Sequence, residues 1–231
     1  MQTDPWLQVP IIRFHKQVVR ASTDIEVGAA DAVECMFCRY ADDTLDAQLS
    51  GQLWWSVDLG GYFCQMETEA LARDFMLGAV SPIMRQHGNR DTRIWGPGWS
   101  SVATDAATKA IRLRTRFGDY IHEQLAVASA TGVALNRYLW HDFPEDAATW
   151  DVLDEFMFGS DYLVAPVVEQ NATNRSVYFP RGVRWVHHRT GAAYIGGSHA
   201  TVDVPLDDLA LFRRDDFRSR FASQHELFSP H

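Results

Sequence analysis

The sequence predicts an α/β fold in which part of a (β/α)8 barrel is followed by a small all-β region. Strand-like and helix-like runs alternate as far as Gly159 and give way to short strand-like runs beyond it, and residues suited to a site gather at strand ends. The 231 residues divide accordingly into a barrel portion over 1–159, a β region over 160–214 and a polar tail over 215–231.

Gln17 to Arg20 is a short strand candidate, and Asp31 to Leu49 reads as a helix with a polar interruption from Cys38 to Thr44. Leu53 to Val57 is rich in aromatic and β-branched residues and runs straight into glycines, the mark of a buried strand ending in a tight turn. Glu67 to Val80 carries Ala70, Leu71, Phe75, Met76 and Leu77 at helical spacing and would cover that strand. Thr104 to Thr131 presents Leu113, Phe117, Tyr120, Ile121, Gln124, Leu125 and Ala128 on one face, with Gly132 placed as a stop. Val133 to Trp140 reads as a strand, Asp146 to Phe158 as a short helix ended by Gly159, and Tyr162 to Val168 as a buried strand. Arg175 to Phe179, Arg184 to His188 and His199 to Val204 are short strands separated by Gly, Pro and Asn.

Composition narrows the function. A formal charge of −9 disfavours nucleic acid, which requires clustered Lys and Arg, and no apolar run reaches the ~18 residues of a membrane span. A neutral ligand fits this balance better. Cys35, Cys38 and Cys64 are an odd count, and the first residues do not resemble a secretory signal, so a reduced, cytoplasmic setting is expected. Cys35-Met36-Phe37-Cys38 has C-x-x-C spacing without a second pair, which favours core packing over metal or redox chemistry. His187 and His188 adjoin a strand and would point to opposite faces, a poor chelate. No cofactor or metal is expected.

The segment Trp54-Trp55-Ser56-Val57-Asp58-Leu59-Gly60-Gly61-Tyr62-Phe63 is the most informative. It sets a carboxylate and two glycines among flat aromatic faces, and a pyranose, with C–H groups on its faces and hydroxyls at its edge, suits such a surface. The same residues also fit an apolar core in which Asp58 caps the next helix.

This segment resembles the "F/W-W-x-x-D-I-G-G-F" motif of glycoside hydrolase family 31, which contains α-glucosidases and α-xylosidases. In order after it, Ser81 to Gly88 resembles "P-x-x-R-x-H-G", Arg112 to Ala128 the "R-x-R-x-x-L-x-P-Y-I-Y" helix, Phe143 to Asp151 "F-P-x-D-x-x-T/A-W-D", and Phe156 to Val167 "F-M-L-G-x-x-L-L-V-A-P-V". The likeness covers Gln52 to Arg213 well and the first fifty residues poorly. It implies that Leu53 to Val57 is the seventh barrel strand, Val133 to Tyr138 the eighth, and Tyr162 onward the start of a β-sandwich domain. A whole barrel takes about 250 residues, so the chain would contain only its last strands.

A retaining glycosidase uses one carboxylate as nucleophile and a second carboxyl group as acid and base. The resemblance implies a nucleophile in a "W-x-D-M-N-E"-like segment, which this sequence does not contain. It makes Asp24, within Ser22-Thr23-Asp24-Ile25-Glu26, the acid/base candidate; Asp31 fits the interval to Asp58 about as well without the motif, and Asp42-Asp43 suits a helix cap. It implies that Asp58 accepts hydrogen bonds from sugar hydroxyls, that Tyr62 and Trp55 line the subsite, that His87 bonds ring hydroxyls, and that Arg85 supports this corner by pairing with a carboxylate. His87 equally fits a solvated loop, and Trp95 and Trp99 could line an outer subsite or pack their loop. Three readings remain: an inactive fragment of a family 31 α-glycosidase completed by its missing N-terminal part or by another chain; a carbohydrate-binding or regulatory remnant without catalysis; and a truncated product with exposed strand edges. The family also contains α-glucan lyases, which leaves the reaction type open.

Overall fold

The computed structural model of the protein describes residues 44–56, 58–61, 67–88, 91 and 93–216. The strand expected at Gln17 to Arg20, the helix before residue 44, the three cysteines and the tail from residue 217 lie outside these residues, as do Asp24, Asp31, Asp42, Asp43 and Tyr62.

The first half of the described chain is mainly helical, with α1 at Asp46–Leu49, α2 at Thr68–Gly78, α3 at Ser101–Arg116 and α4 at Gly118–Thr131. Two short strands, β1 at Asp58–Leu59 and β2 at Arg85–Gln86, pair in parallel among them. Helix α2 forms where the sequence places it, and it buries Ala70, Leu71, Phe75, Met76 and Leu77. Helix α3 starts at Ser100, whose hydroxyl accepts the Ala103 N–H at 3.2 Å and so satisfies one of the free donors at the helix start. Its buried side chains are Ala103, Ala106, Ala107 and Ala110, small enough to let α2 pack closely against it.

The run expected as one helix from Thr104 to Thr131 is two helices, broken at Phe117. Gly118 is a poor helix former, and the break seats the Phe117 ring edge-on against Phe158 at 5.4 Å and Tyr162 at 5.0 Å. Gly132 stops α4 as expected: it takes φ +79°, a left-handed conformation that glycine adopts without a Cβ penalty, and its N–H bonds Ala128 O at 2.8 Å.

The second half is built from antiparallel strands β3 Asn136–Tyr138, β4 Phe156–Phe158, β5 Tyr162–Ala165, β6 Asn174–Phe179, β7 Arg184–His187, β8 Ala193–Ile195, β9 Ser198–Asp203 and β10 Ala210–Arg214. Six of them form a sheet in the order β3-β4-β5-β10-β7-β8, and β6 pairs with β9 separately. Phe156, Phe158, Tyr162, Val164 and Leu211 face the helices, in one core with Phe117, Tyr120, Ile121 and Leu125. Their alternate neighbours Met157, Leu163, Ala165, Ala210 and Phe212 face the β6–β9 pair, packing with Val177, Phe179 and Val202. The register agrees, since Leu211 lies opposite Val164 and Phe212 opposite Leu163, so the period of two sends matching residues to one face. A sheet buried on both faces reads as an unbroken apolar run, and each such large side chain contributes about 1.5–3 kcal/mol.

Several expectations are corrected here. Asp146 to Phe158 is not a helix: only Ala147–Trp150 forms a 3-10 turn, and Phe156–Phe158 is a strand held between β3 and β5. Leu53 to Val57 is not a strand over its described residues; the described strand is Asp58–Leu59, so Asp58 lies within it rather than at its C-terminal end. Asn136–Tyr138, expected as a barrel strand, pairs antiparallel with β4 within the six-stranded sheet. The boundary expected between residues 159 and 160 therefore falls in the turn of the β4–β5 hairpin, with one sheet on both sides of it. Strands β2, β8 and β10 were not expected.

The outer edge of β3 is closed by a side chain from α1. The Asn136 N–H donates to Gln48 Oε1 at 3.0 Å, and Gln48 Nε2 donates to Asn136 Oδ1 at 3.3 Å. Gln48 is 2% exposed, so its amide satisfies backbone and side-chain groups that would otherwise be buried without partners.

Candidate sugar-binding site

Strands β1 and β2 lie in register with Asp58 opposite Arg85 and Leu59 opposite Gln86. This places two oppositely charged side chains side by side, and the Arg85 guanidinium donates to Asp58 Oδ1. The Asp58 side chain is 15% exposed and that of Arg85 48% exposed, so the carboxylate is sheltered while the cation reaches solvent. An ionised carboxylate has lone pairs beyond the one Arg85 takes, and these can accept from hydroxyl groups.

The chain leaves β1 through Gly60 and Gly61, at φ +84° and +75°. Both angles lie in the left-handed region, which explains the glycine pair. Gly61 N–H bonds Asp58 O at 3.1 Å, and Gly60 N–H donates to the buried Asp74 carboxylate of α2 at 2.6 Å. Leu59 packs against Gly78, where any added Cβ would meet its side chain. The approach to β2 is equally supported: the Ser81 hydroxyl donates to Gly78 O at 2.7 Å, and the Arg114 guanidinium of α3 donates to Pro82 O at 2.7 Å and to Ser81 O.

His87 follows β2 directly and is half-buried. Trp55 is half-buried, while the ring of Trp54 is exposed. The two open tryptophans of the later loop separate: Trp99 packs edge-on against Phe75 at 5.4 Å and belongs to the core, whereas Trp95 is 73% exposed. In the same loop Arg93 hydrogen-bonds Asp91 and lowers its carboxyl to about 2. The structure thus brings Asp58 and Arg85 together as an ion pair and sets His87 and Trp55 on adjoining segments; Asp24 and Tyr62 lie outside the described residues. Asp74 and Arg114 were missed because they act on backbone groups from helices, although Arg114 stands within the quoted R-x-R run.

Among the described residues no group of three His, Cys, Asp or Glu could hold a metal ion, and no helix is long and apolar enough to cross a membrane. The expected opposition of His187 and His188 holds: the His187 ring meets Phe212 edge-on at 5.0 Å, and His188 lies 5.8 Å from Phe117 in the helix-facing core. Burial, then the neighbouring His187, Arg116 and Arg213, lowers the His188 imidazole to about 4.

Residues 38–124 match the TIM-barrel domain of glycosyl hydrolases family 31, and residues 132–217 match that family's C-terminal domain. The chain belongs to glycoside hydrolase family 31.

A probable glucan 1,3-alpha-glucosidase of Arabidopsis thaliana is 34% identical over 186 residues, which is 76% of this chain and 20% of that protein. A sulfoquinovosidase of Agrobacterium fabrum is 31% identical over 189 residues, covering 80% of this chain and 28% of its own length. Among solved structures, a family 31 alpha-xylosidase from a soil metagenome, complexed with xylose, superposes with a TM-score of 0.74 at 27% identity over 87% of this chain and 33% of that one. A Flavobacterium johnsoniae dextranase complexed with glucose gives 0.70 at 27% identity, over 77% of this chain and 23% of the dextranase. The chain spans about a fifth of the length of the first curated relatives it matches.

Proposed function

We propose that the chain is the C-terminal part of a family 31 retaining α-glycosidase acting on O-glycosidic bonds of α-glucosides or α-xylosides, and that it binds sugar without hydrolysing it alone. The observation that carries the reading is the Asp58–Arg85 pair, a sheltered carboxylate held at neighbouring strand ends. Asp58 accepts sugar hydroxyls, Arg85 fixes its orientation, and His87 with Trp55 completes one wall, to which the family resemblance adds Tyr62. Asp24 serves as the acid/base in this reading. Chemistry needs a second carboxylate as nucleophile, and the sequence holds no segment resembling the family's nucleophile motif. Only the last part of the barrel lies in this chain on this reading, and its division from the following β domain falls near Gly132, which caps α4 and is the first residue of the second matched region.

The decisive assay uses aryl α-glucoside and aryl α-xyloside with the purified chain. No release of nitrophenol is expected, and turnover that vanishes in Asp24→Asn would overturn the proposed inactivity. Restored turnover on adding a polypeptide that carries the nucleophile segment would show that a second piece completes the barrel.

A carbohydrate-binding remnant is the second reading, favoured by Gln48, which seals the edge of β3 from within the chain. Glucose or xylose binding by calorimetry, lost in Asp58→Ala and His87→Ala with the fold retained, with no rescue by any added nucleophile piece, would select it.

A further inference from the structure

We propose that Asp74 and Arg114, which grip backbone groups beside Asp58 and Arg85, are the positioning residues that hold the two halves of the site in register. This rests on the reading of Asp58, Arg85 and His87 as a sugar-binding wall. The two loops concerned adjoin strands of only two residues, Asp58–Leu59 and Arg85–Gln86, so ladder hydrogen bonds alone cannot fix them. Each is instead gripped from the helix layer by one charged group.

Asp74 lies on α2, is 6% exposed, and accepts the Gly60 N–H at 2.6 Å. A carboxylate accepting a backbone N–H forms a short, charge-assisted bond, and this one anchors the left-handed residue two positions after Asp58. Arg114 lies on α3 and donates to Ser81 O, to Pro82 O at 2.7 Å and to Ala79 O at 3.4 Å. The guanidinium fork thus ties down consecutive carbonyls between the end of α2 and the start of β2, three residues before Arg85. A lysine offers a point charge and cannot reproduce that fork. Because α2 and α3 pack directly on each other, the two grips share one rigid support, and the spacing of Asp58 from Arg85 is set by the helix pair.

The full chain is the test material. Asp74→Ala and Arg114→Gln are each expected to weaken D-glucose or D-xylose binding by about tenfold or more, the scale of one lost charge-assisted hydrogen bond. Asp74→Asn, which keeps an acceptor for Gly60, is expected to restore most of the affinity, whereas Arg114→Lys is not. Amide resonances provide a reading independent of sugar: Asp58 to Gly61 should shift in Asp74→Ala, and Arg85 to His87 in Arg114→Gln, with Val177 and Val202 of the β6–β9 pair unmoved. If Asp74→Ala fails to fold, Asp74→Asn and Arg114→Lys carry the comparison through the same resonances. Unchanged loop resonances in folded variants would overturn the inference. Loop shifts in a chain that binds neither sugar would retain the positioning roles and remove the sugar-binding reading instead.

Discussion

Asp58 and Arg85 are direct partners across the parallel β1–β2 pair, and their side chains close an ion pair at the edge of the helix layer. The register sets the two residues opposite each other, so neither side chain needs a long reach to find the other.

An exposed cation adds little to folding, so Arg85→Ala should change stability by about 1 kcal/mol or less. Its effect on sugar binding should be far larger, because Asp58 loses the partner that orients it. Calorimetric titration with glucose or xylose, set beside a urea melt, separates the two quantities. An affinity equal to that of the parent chain would remove Arg85 from the site.

Glu155 predicts a pH dependence. It is 2% exposed, accepts the Tyr178 N–H at 2.8 Å on one oxygen, and among the described residues has no hydrogen-bond partner for the other. Burial raises its carboxyl from 4.5 to about 8, only partly opposed by Arg175. The folded chain then holds a proton that the unfolded chain releases above 4.5, so the contribution is complete below that value and is lost as pH rises through about 8. Urea midpoints should fall between pH 5 and 8, and Glu155→Gln should flatten that slope.

Arg73 joins α2 to the β region. Its guanidinium donates to Ala172 O at 2.7 Å and lies 3.6 Å from Glu69, whose carboxylate accepts the Asn171 N–H. Burial lowers the Arg73 pKa, while Glu69 opposes the shift. Arg73→Met would leave Ala172 O and Glu69 without their buried partner, and a loss of about 3 kcal/mol in urea unfolding is expected. A change below ~0.5 kcal/mol, typical of surface positions, would show that the junction does not depend on it.

Gly78 ends α2 against Leu59. A Cβ there would come to 2.5 Å from Leu59 Cδ1 and 2.9 Å from Cδ2, and Leu59 is 1% exposed with little room to yield. Gly78→Ala should cost about 1–3 kcal/mol and displace β1. Thermal melting measures the first effect and the Asp58 amide resonance the second.

Helix α2, the Gly132 stop and strand β5 were legible because each rests on local pattern: apolar spacing, a glycine free to adopt φ +79°, and an unbroken apolar run. Phe156–Phe158 was misread because three apolar residues after a polar turn fit a helix end as well as a strand, and only pairing with distant Asn136–Tyr138 decides between them. Ala210–Arg214 escaped notice for the same reason: its partners Tyr162–Ala165 and Trp185–His187 are remote in sequence. At the proposed site, Asp58, Arg85 and His87 came forward through the family resemblance of their segments, and Arg85 does pair with a carboxylate, that of Asp58. Backbone-directed groups such as Asp74 carry no such signature, since any helix surface offers carboxylates.

Strand β10 sits between β5 and β7 although it comes last among the described strands. During synthesis, then, β3-β4-β5 and β7-β8 emerge as two separate half-sheets, each with a raw inner edge, and neither can join the other until Leu211 and Phe212 have left the ribosome. A break in the chain before Ala210 would remove one strand in length but leave the sheet as two unjoined halves with open edges, so the protein's solubility should depend steeply on those five residues.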